Sequence, residues 1–426
     1  MSKLKYQSLT GMHDVLPEDF LYVDKIFKAV KSVASYYSFD RIETPILEFT
    51  ELFLKGVGSD TDIVGKEMYT FTTKGGDSVS LRPEGTTAVM RSYFEHGMHN
   101  LPQPVKLWYW GPFFRYERPQ AGRFRQFWQF GFEAIGDKNA SLDSQMIQMS
   151  YDIVKELGIK NISIQLNSIG DEECRPYFKK ILANYFKSRR VSLSPECQKK
   201  IKENPLRILD CKDEKCSRVK SEAPQIIDHL CENCHNHFKQ VLEFLDELEL
   251  PYMLNPYLVR GLDYYTRTVF EITENSELGQ SLGALAGGGR YDNLAKFLGV
   301  KPEPACGLGG GVDRIVTLLK SREKKEVKKN TPQIFLAQLG PLAKRKSMKL
   351  FEEFRKAKIP VIESFSKDSL RSQLRMADKM GIRWILIFGQ REALENFITL
   401  RDMQTGAQKE IDFDKIIDEM KKRIAK

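Results

Sequence analysis

Gly111-Pro-Phe-Phe-Arg-Tyr-Glu-Arg-Pro-Gln-Ala-Gly-Arg-Phe-Arg-Gln-Phe-Trp-Gln-Phe-Gly-Phe-Glu133 is the stretch from which the rest of the chain is read. From Arg123 to Glu133, polar and bulky residues alternate with a period of two, which predicts a β-strand. One face of that strand would carry Arg123, Arg125, Phe127, Gln129, Gly131 and Glu133. The first half also reads as a strand, and Arg118 to Gly122 as the connecting loop. Four arginines (Arg115, Arg118, Arg123, Arg125) therefore line a strand–loop–strand unit. A guanidinium is always charged, and its planar fork holds two phosphate oxygens at once, so the unit suits a polyphosphate. Glu117 and Glu133 suit a cationic group or a metal in the same pocket. A basic hairpin kept only for solubility would need neither the aromatic alternation nor the terminal acid.

The surrounding chain is long enough for two or three domains, at 426 residues with 41% hydrophobic content. Its net charge of +9 favours an anionic partner, nucleic acid among them. The N-terminal segment lacks the apolar stretch of a signal peptide, and no apolar run approaches the ~20 residues that span a bilayer. A soluble, cytoplasmic protein with reduced or metal-bound cysteines is expected. Phe20 to Tyr37 has helical periodicity, and Ile42 to Glu48 reads as a strand interrupted by Pro45. Leu142 to Leu157 reads as a helix and Ile162 to Leu166 as a strand. Residues 171–250 turn mostly helical, as an insertion. The charged segment Ser321 to Asn330 reads as a helix end and linker. Beyond it strands and helices alternate (Gln333–Leu339, Ala343–Lys356, Pro360–Glu363, Ser369–Met380, Trp384–Phe388), which predicts a separate α/β domain over 331–426.

Five segments together resemble one family. Phe114-Arg-Tyr-Glu117 with its arginine loop resembles motif 2 of class II aminoacyl-tRNA synthetases. Leu81-Arg-Pro-Glu-Gly-Thr-Thr87 resembles the amino-acid-binding turn of the histidyl, prolyl and threonyl branch, and Leu258-Val-Arg-Gly-Leu-Asp-Tyr-Tyr-Thr-Arg-Thr-Val-Phe-Glu-Ile272 a segment peculiar to histidyl-tRNA synthetases. Ala286-Gly-Gly-Gly-Arg-Tyr-Asp-Asn293 resembles a second histidine-pocket segment, and Cys306-Gly-Leu-Gly-Gly-Gly-Val-Asp-Arg-Ile315 resembles motif 3. The resemblance implies an α+β catalytic domain over 1–325, built on an antiparallel sheet flanked by helices and carrying the insertion at about 171–250. It implies an anticodon-binding domain over 331–426, and a homodimer through the Phe20–Tyr37 helix and the Pro45 strand. It implies a histidine–tRNA ligase using ATP with Mg²⁺, histidine and the histidine tRNA, and no membrane.

Residue by residue, the resemblance implies catalytic roles for Arg260, Arg115 and Arg314. Arg115, Glu117, Arg123, Arg125, Phe127 and Arg314 would hold ATP, with adenine stacked on Phe127. Glu84, Gly85, Thr86, Gln129, Glu133, Tyr264, Tyr265 and Tyr291 would hold histidine, and Arg118 and Gln120 would reach the acceptor end of the tRNA. Two rivals share the core. A regulatory subunit of histidine biosynthesis would have lost motif residues and the C-terminal domain. A prolyl or threonyl enzyme would lack the segment from Arg260 to Tyr265. Cys211, Cys216, Cys231 and Cys234, with His235 and His237 nearby, leave two readings open: structural Zn²⁺, or reduced cysteines buried as small hydrophobes. The resemblance calls for no zinc.

Overall fold

The structure is a computed structural model that describes residues 6–58, 61–211, 213–322, 332–364, 366 and 368–424, without the side chain at 280. The predicted linker residues 323–330 lie outside the described residues. The chain divides into two compact units, residues 1–324 and 325–426.

The first unit is built on an eight-stranded sheet. Across it run Asp40–Arg41, Val105–Phe114, Gln126–Ile135, Ala305–Gly311, Ala286–Arg290, Thr266–Glu274, Ile162–Ser168 and Tyr252–Leu254. The six inner strands are antiparallel, and each outermost strand pairs in parallel with its neighbour. The period-two pattern decides what each face carries. Phe130, Phe132 and Ala134 join the core beneath the helices Phe20–Tyr36 and Ala140–Glu156, together with Trp108 from the facing strand. Phe127, Gln129, Gly131 and Glu133 alternate with them toward the opposite face. The register sets Tyr109 across from Gly131 and Gly111 across from Gln129. The helix Phe20–Tyr36 buries Ile26, Val30 and Val33, one stripe at helical spacing, and sets Phe27 edge-on to Trp110.

Three expectations change here. The arginine strand begins at Gln126, not at Arg123; Arg123 and Arg125 belong to the turn before it, where Arg125 N bonds to Gly11 O. The strand expected across Ile42–Glu48 is mostly absent: residues 42–46, Pro45 among them, are irregular, and short strands lie on either side. Asp40–Arg41 joins the large sheet, while Leu47–Phe49 joins a three-stranded antiparallel sheet with Ser78–Leu81 and Thr70–Thr72. Proline has no N–H to give a ladder, so pairing breaks there. Tyr257-Leu-Val, which reads as strand-like in the sequence just ahead of Arg260, is turn and coil, the edge strand ending at Leu254.

The insertion consists of the helices Arg175–Ser188, Pro195–Glu203, Glu214–Ser221 and Glu232–Glu247 with short 3₁₀ turns. A buried network fixes its last helix to the sheet. Asp143 accepts from His237 Nε2 (2.6 Å) and from Arg290 Nη2 (2.6 Å), and Arg290 also reaches Asp292 and the carbonyls of Asp137 and Asn139. Burial alone would raise the Asp143 carboxyl, but Arg290 and His237 overcome it and hold it at about 2.

The second unit is a five-stranded sheet in the order Val361–Glu363, Ile334–Gln338, Trp384–Phe388, Phe397–Asp402, Gln408–Asp412. The first three strands are parallel and the last two antiparallel. Two apolar cores form, one around Leu336, Leu350 and Phe388 and the other around Phe335, Ala377 and Ile385. Asn396 ends the helix Gln390–Glu395 at φ 60°, a left-handed position that glycine adopts most easily and asparagine tolerates.

Candidate active site

A cavity of about 430 Å³ opens on the sheet face opposite the packed helices. Its lining gathers segments far apart in sequence: Glu84 and Thr86, the arginine hairpin, Arg260 to Tyr265, Gly283 to Gly287, and Arg314.

Anion-binding groups crowd one part of it. Glu117 lies 3.9 Å from Arg115 Nη1 and 3.7 Å from Arg123 Nη1. Arg115 anchors its Nε on Pro83 O (2.8 Å) and lies over the Phe127 ring. Arg314, in the first turn of the helix Val312–Arg322, donates to Ala284 O at 2.6 Å. Burial, with Arg123 and Arg115 nearby, lowers the Arg314 guanidinium to about 10, the result of confining like charges with too few carboxylates to balance them. Such a cluster becomes favourable when a polyanion enters it.

Carboxylates and phenols crowd the other part. Glu133 is 1% exposed. Its Oε1 accepts from Thr86 Oγ1 (2.7 Å) and Tyr109 OH (3.3 Å), and its Oε2 from Tyr291 OH (2.5 Å). Burial raises its pKa to about 8, with the charge of Glu84 adding to the rise and the hydrogen bonds from Tyr291 and Thr86 opposing it. Glu84, also raised by burial, accepts from Thr87 N (3.0 Å) and Tyr264 OH (3.4 Å). Two buried acids ringed by four tyrosines form a receptor for a small cation or an N–H-rich ring. Between the two parts lies Arg260, whose Nη1 meets Glu271 Oε1 at 2.5 Å and whose guanidinium lies 5.6 Å from the Tyr265 ring. Burial works against its charge, but Tyr265 and Glu271 keep its pKa above the ordinary arginine value.

Of the residues singled out in the sequence, Glu84, Thr86, Arg115, Glu117, Arg123, Phe127, Gln129, Arg260, Tyr264, Tyr265 and Arg314 line the cavity. Glu133, Tyr291 and Gly85 are buried just behind the lining. Arg125 does not reach the cavity: its guanidinium lies 3.7 Å from the Tyr116 ring centre and donates to Thr10 O and Glu117 O. Arg118 and Gln120 stand exposed on the hairpin loop. Two further residues escaped the sequence reading. Tyr109 is placed by its register opposite Gly131, and Glu271, inside the quoted Arg260 segment, is the partner of that arginine.

The cysteines regroup. Cys211 and Cys216 join Cys197, while Cys231 and Cys234 join Cys174 and Asp171. Cys231 and Cys234 lie at the first turn of one helix, near the start of the helix that Cys174 precedes, whereas Cys211 precedes another helix, Glu214–Ser221, and Cys216 lies in its first turn; the four fall in separate clusters and do not gather around one ion. His237 is committed to Asp143.

A mainly antiparallel sheet with an arginine hairpin, a glycine strand leading into an arginine-bearing helix and an appended α/β domain makes the class II aminoacyl-tRNA synthetase fold. Comparison with known proteins narrows the class. The family model described as histidyl-tRNA synthetase matches residues 11–170 and 197–315, and one described as an anticodon binding domain matches 333–423. A histidine–tRNA ligase of Dehalococcoides mccartyi (strain BAV1) is 43% identical over 98% of this chain and 100% of its own length, and one of Halothermothrix orenii is 42% identical over 97% and 98%. The crystal structure of apo S. aureus histidyl-tRNA synthetase covers 97% of this chain and 99% of its own, with a TM-score of 0.78 at 32% identity. The chain belongs to the histidyl-tRNA synthetase family.

Proposed function

We propose that the cavity activates histidine with ATP and then passes it to the 3′ end of a histidine tRNA, each cavity residue acting in the role the sequence suggested. The observation that carries this is the layout of one strand: it leaves the arginine hairpin at Phe127 and runs to the buried Glu133, joining a phosphate site to a histidine-sized acid pocket. In the first step the histidine carboxylate attacks the α-phosphorus of ATP and pyrophosphate leaves. The nucleophile is already ionised, so no general base is required. The barrier is the meeting of two anions, and fixed cations lower it. Arg115 and Arg260 are assigned to the α-phosphate and the attacking carboxylate, and Arg123 and Arg314 to the outer phosphates. Phe127 offers its face to adenine. Glu133 and Tyr265 pair with the imidazole, while Glu84, Thr86 and Gln129 hold the α-ammonium, so a side chain lacking two ring nitrogens leaves buried polar groups unpaired and is rejected. Mg²⁺ enters with ATP, neutralising phosphate charge; Glu117 and Glu271 are the carboxylates within reach of that part of the cavity.

In the second step the ribose hydroxyl at the tRNA 3′ end attacks the activated carbonyl and AMP leaves. The exposed Arg118 and Gln120 are placed to meet that end, and the unit over 331–426 is assigned to the anticodon. Ile46, Leu47, Phe49, Leu54 and Phe71 are exposed on and around the three-stranded sheet. They extend the Pro45 segment into an apolar surface suited to a homodimer contact. No helix among the described residues is long and apolar enough to cross a membrane; a tRNA substrate supports a cytoplasmic enzyme. The regulatory-subunit reading fails to explain why the arginines and the anticodon-domain match are both kept. The test is ATP–pyrophosphate exchange across the amino acids. Exchange that needs histidine and Mg²⁺ is expected, and exchange driven by proline or threonine, or by no amino acid, overturns the assignment.

A further inference from the structure

We propose that Asp171, Cys174, Cys231 and Cys234 form a structural Zn²⁺ site that locks the root of the helical insertion to the back of the histidine pocket. The four ligand atoms come from two chain segments sixty residues apart, yet all lie within 4.8 Å of one another. Two edges already have tetrahedral lengths: Asp171 Oδ1 is 3.6 Å from Cys174 Sγ and 3.8 Å from Cys231 Sγ. Tetrahedral zinc with bonds of about 2.3 Å to sulfur and 2.0 Å to oxygen holds its ligands roughly 3.5–3.8 Å apart. Closing the remaining edges takes about an ångström. Three thiolates with one carboxylate, in a four-donor set, match the softness and coordination number of zinc. A disulfide between any two of the thiols would leave the third and the carboxylate without a purpose.

The surroundings are built as a supporting layer for such a site. Asp171 N donates to Cys174 Sγ at 3.4 Å. Arg267 Nη2 holds Asp171 Oδ2 at 3.4 Å and Glu173 N donates to Oδ1 at 3.0 Å, which orients the carboxylate and leaves a second lone pair of Oδ1 for the metal. Gly170 has φ +65°, and a Cβ there would fall 2.5 Å from Cys174 Sγ, so the chain turns in closest contact with the ligand. Cys174 and Cys234 are buried while Asp171 and Cys231 are partly exposed, which leaves a route for the ion.

The position gives the site a consequence. Cys174 caps the helix Arg175–Ser188, and Cys231 caps Glu232–Glu247, so one ion would join the first and last helices of the insertion. Arg175, next to the ligand Cys174, donates to the carbonyls of Ile169, Gly170 and Tyr265, the last at 2.5 Å. The ligand cluster is thus one residue from the backbone that carries Tyr265. Among the described residues, the Cys197, Cys211 and Cys216 cluster gains no fourth His, Cys, Asp or Glu ligand, and Cys216 Sγ meets the Ser194 hydroxyl instead, so it supports no equal case.

The test uses the full-length protein grown with zinc and purified under reducing conditions. Metal content by mass spectrometry should fall by about one equivalent per chain in the Cys231→Ser/Cys234→Ser double variant relative to wild type. Cobalt exchanged into wild type should give the visible absorption of a tetrahedral thiolate site. Should the double variant fold poorly, alkylation of native wild type decides: Cys231 should be protected with zinc bound and react at least tenfold faster after chelation. Wild type carrying under about a fifth of an equivalent, a double variant with undiminished zinc, or Cys231 alkylation indifferent to the chelator overturns the site. The locking role rests on the histidine reading and is tested separately: zinc removal should raise the KM for histidine severalfold with little change in the KM for ATP, and an unchanged histidine KM removes that role.

Discussion

At the scale of single residues, the proposed mechanism separates groups that bind ground states from one that waits for the transition state. Arg260 is already paired with Glu271. That pairing makes it a poor candidate for tight initial binding and a good one for charge that grows as the phosphorus becomes pentacoordinate. Arg260→Ala is expected to lower kcat for pyrophosphate exchange by about 10²–10³-fold, the scale of losing one preorganised donor, with the KM for histidine changed far less. Loss confined to KM would contradict the role. Glu133 makes a different prediction. Its carboxyl titrates at about 8 in the free pocket, so below that pH it is mostly protonated, and a histidine N–H can bind to the carboxylate only after a proton leaves. Affinity for histidine should therefore rise between pH 7 and 8, and calorimetry in buffers of different ionisation heat should count close to one proton released per site at pH 7. Glu133→Gln should release almost none. The same raised pKa means that the free fold keeps this contribution to stability below the ordinary carboxylate range and loses it as pH rises through about 8. Glu133, Glu84 and Arg115 were legible in the sequence because each sits inside a local motif. Tyr109, Glu271 and Asp171 were not, because what defines them is the partner a neighbouring strand or helix supplies.

At the scale of elements, the strand Ala305–Gly311 shows why a glycine-rich run need not be a loop. It is paired along its length with Gln126–Ile135 on one side and Ala286–Arg290 on the other. A Cβ on Gly307 would stand 1.9 Å from Glu133 Oε2, so the missing side chain is the space the acid occupies. Gly307→Ala should displace Glu133 or the strand at a cost of about 1–3 kcal/mol. The expected reading is a histidine KM raised about tenfold or more, with unchanged circular dichroism; wild-type kinetics would show that the pocket does not depend on this contact. Periodicity located both long hairpin strands, the helices Phe20–Tyr36 and Ala140–Glu156, and every element quoted in the C-terminal unit, since each carries its own apolar pattern. It failed where tertiary pairing decides the outcome. Arg123 and Arg125 continue the alternation but fall in the turn, and Tyr257-Leu-Val looks extended but finds no strand to pair with. The cysteine spacing likewise announced a cluster without saying which thiols would meet.

At the scale of the whole molecule, all the cavity residues lie in the first unit, and the last of them is Arg314. The second unit has two apolar cores of its own, enough for it to fold as a separate body. Chemistry and tRNA recognition can therefore be separated by cutting the chain. A protein of residues 1–325 should sediment as a dimer, since the apolar surface around Phe49 and Phe71 belongs to it, and should retain histidine-dependent pyrophosphate exchange within a few-fold of the full chain. Charging of tRNA should fall steeply, because losing the anticodon contacts removes about 1–3 kcal/mol for each stacked base. The loss should sit in the KM for tRNA, so that raising tRNA concentration restores part of the rate. A core that sediments as a monomer would refute the dimer contact. A folded core that has lost exchange along with charging would mean that residues 331–426 support the active site itself, and the division of labour between the two units would not hold.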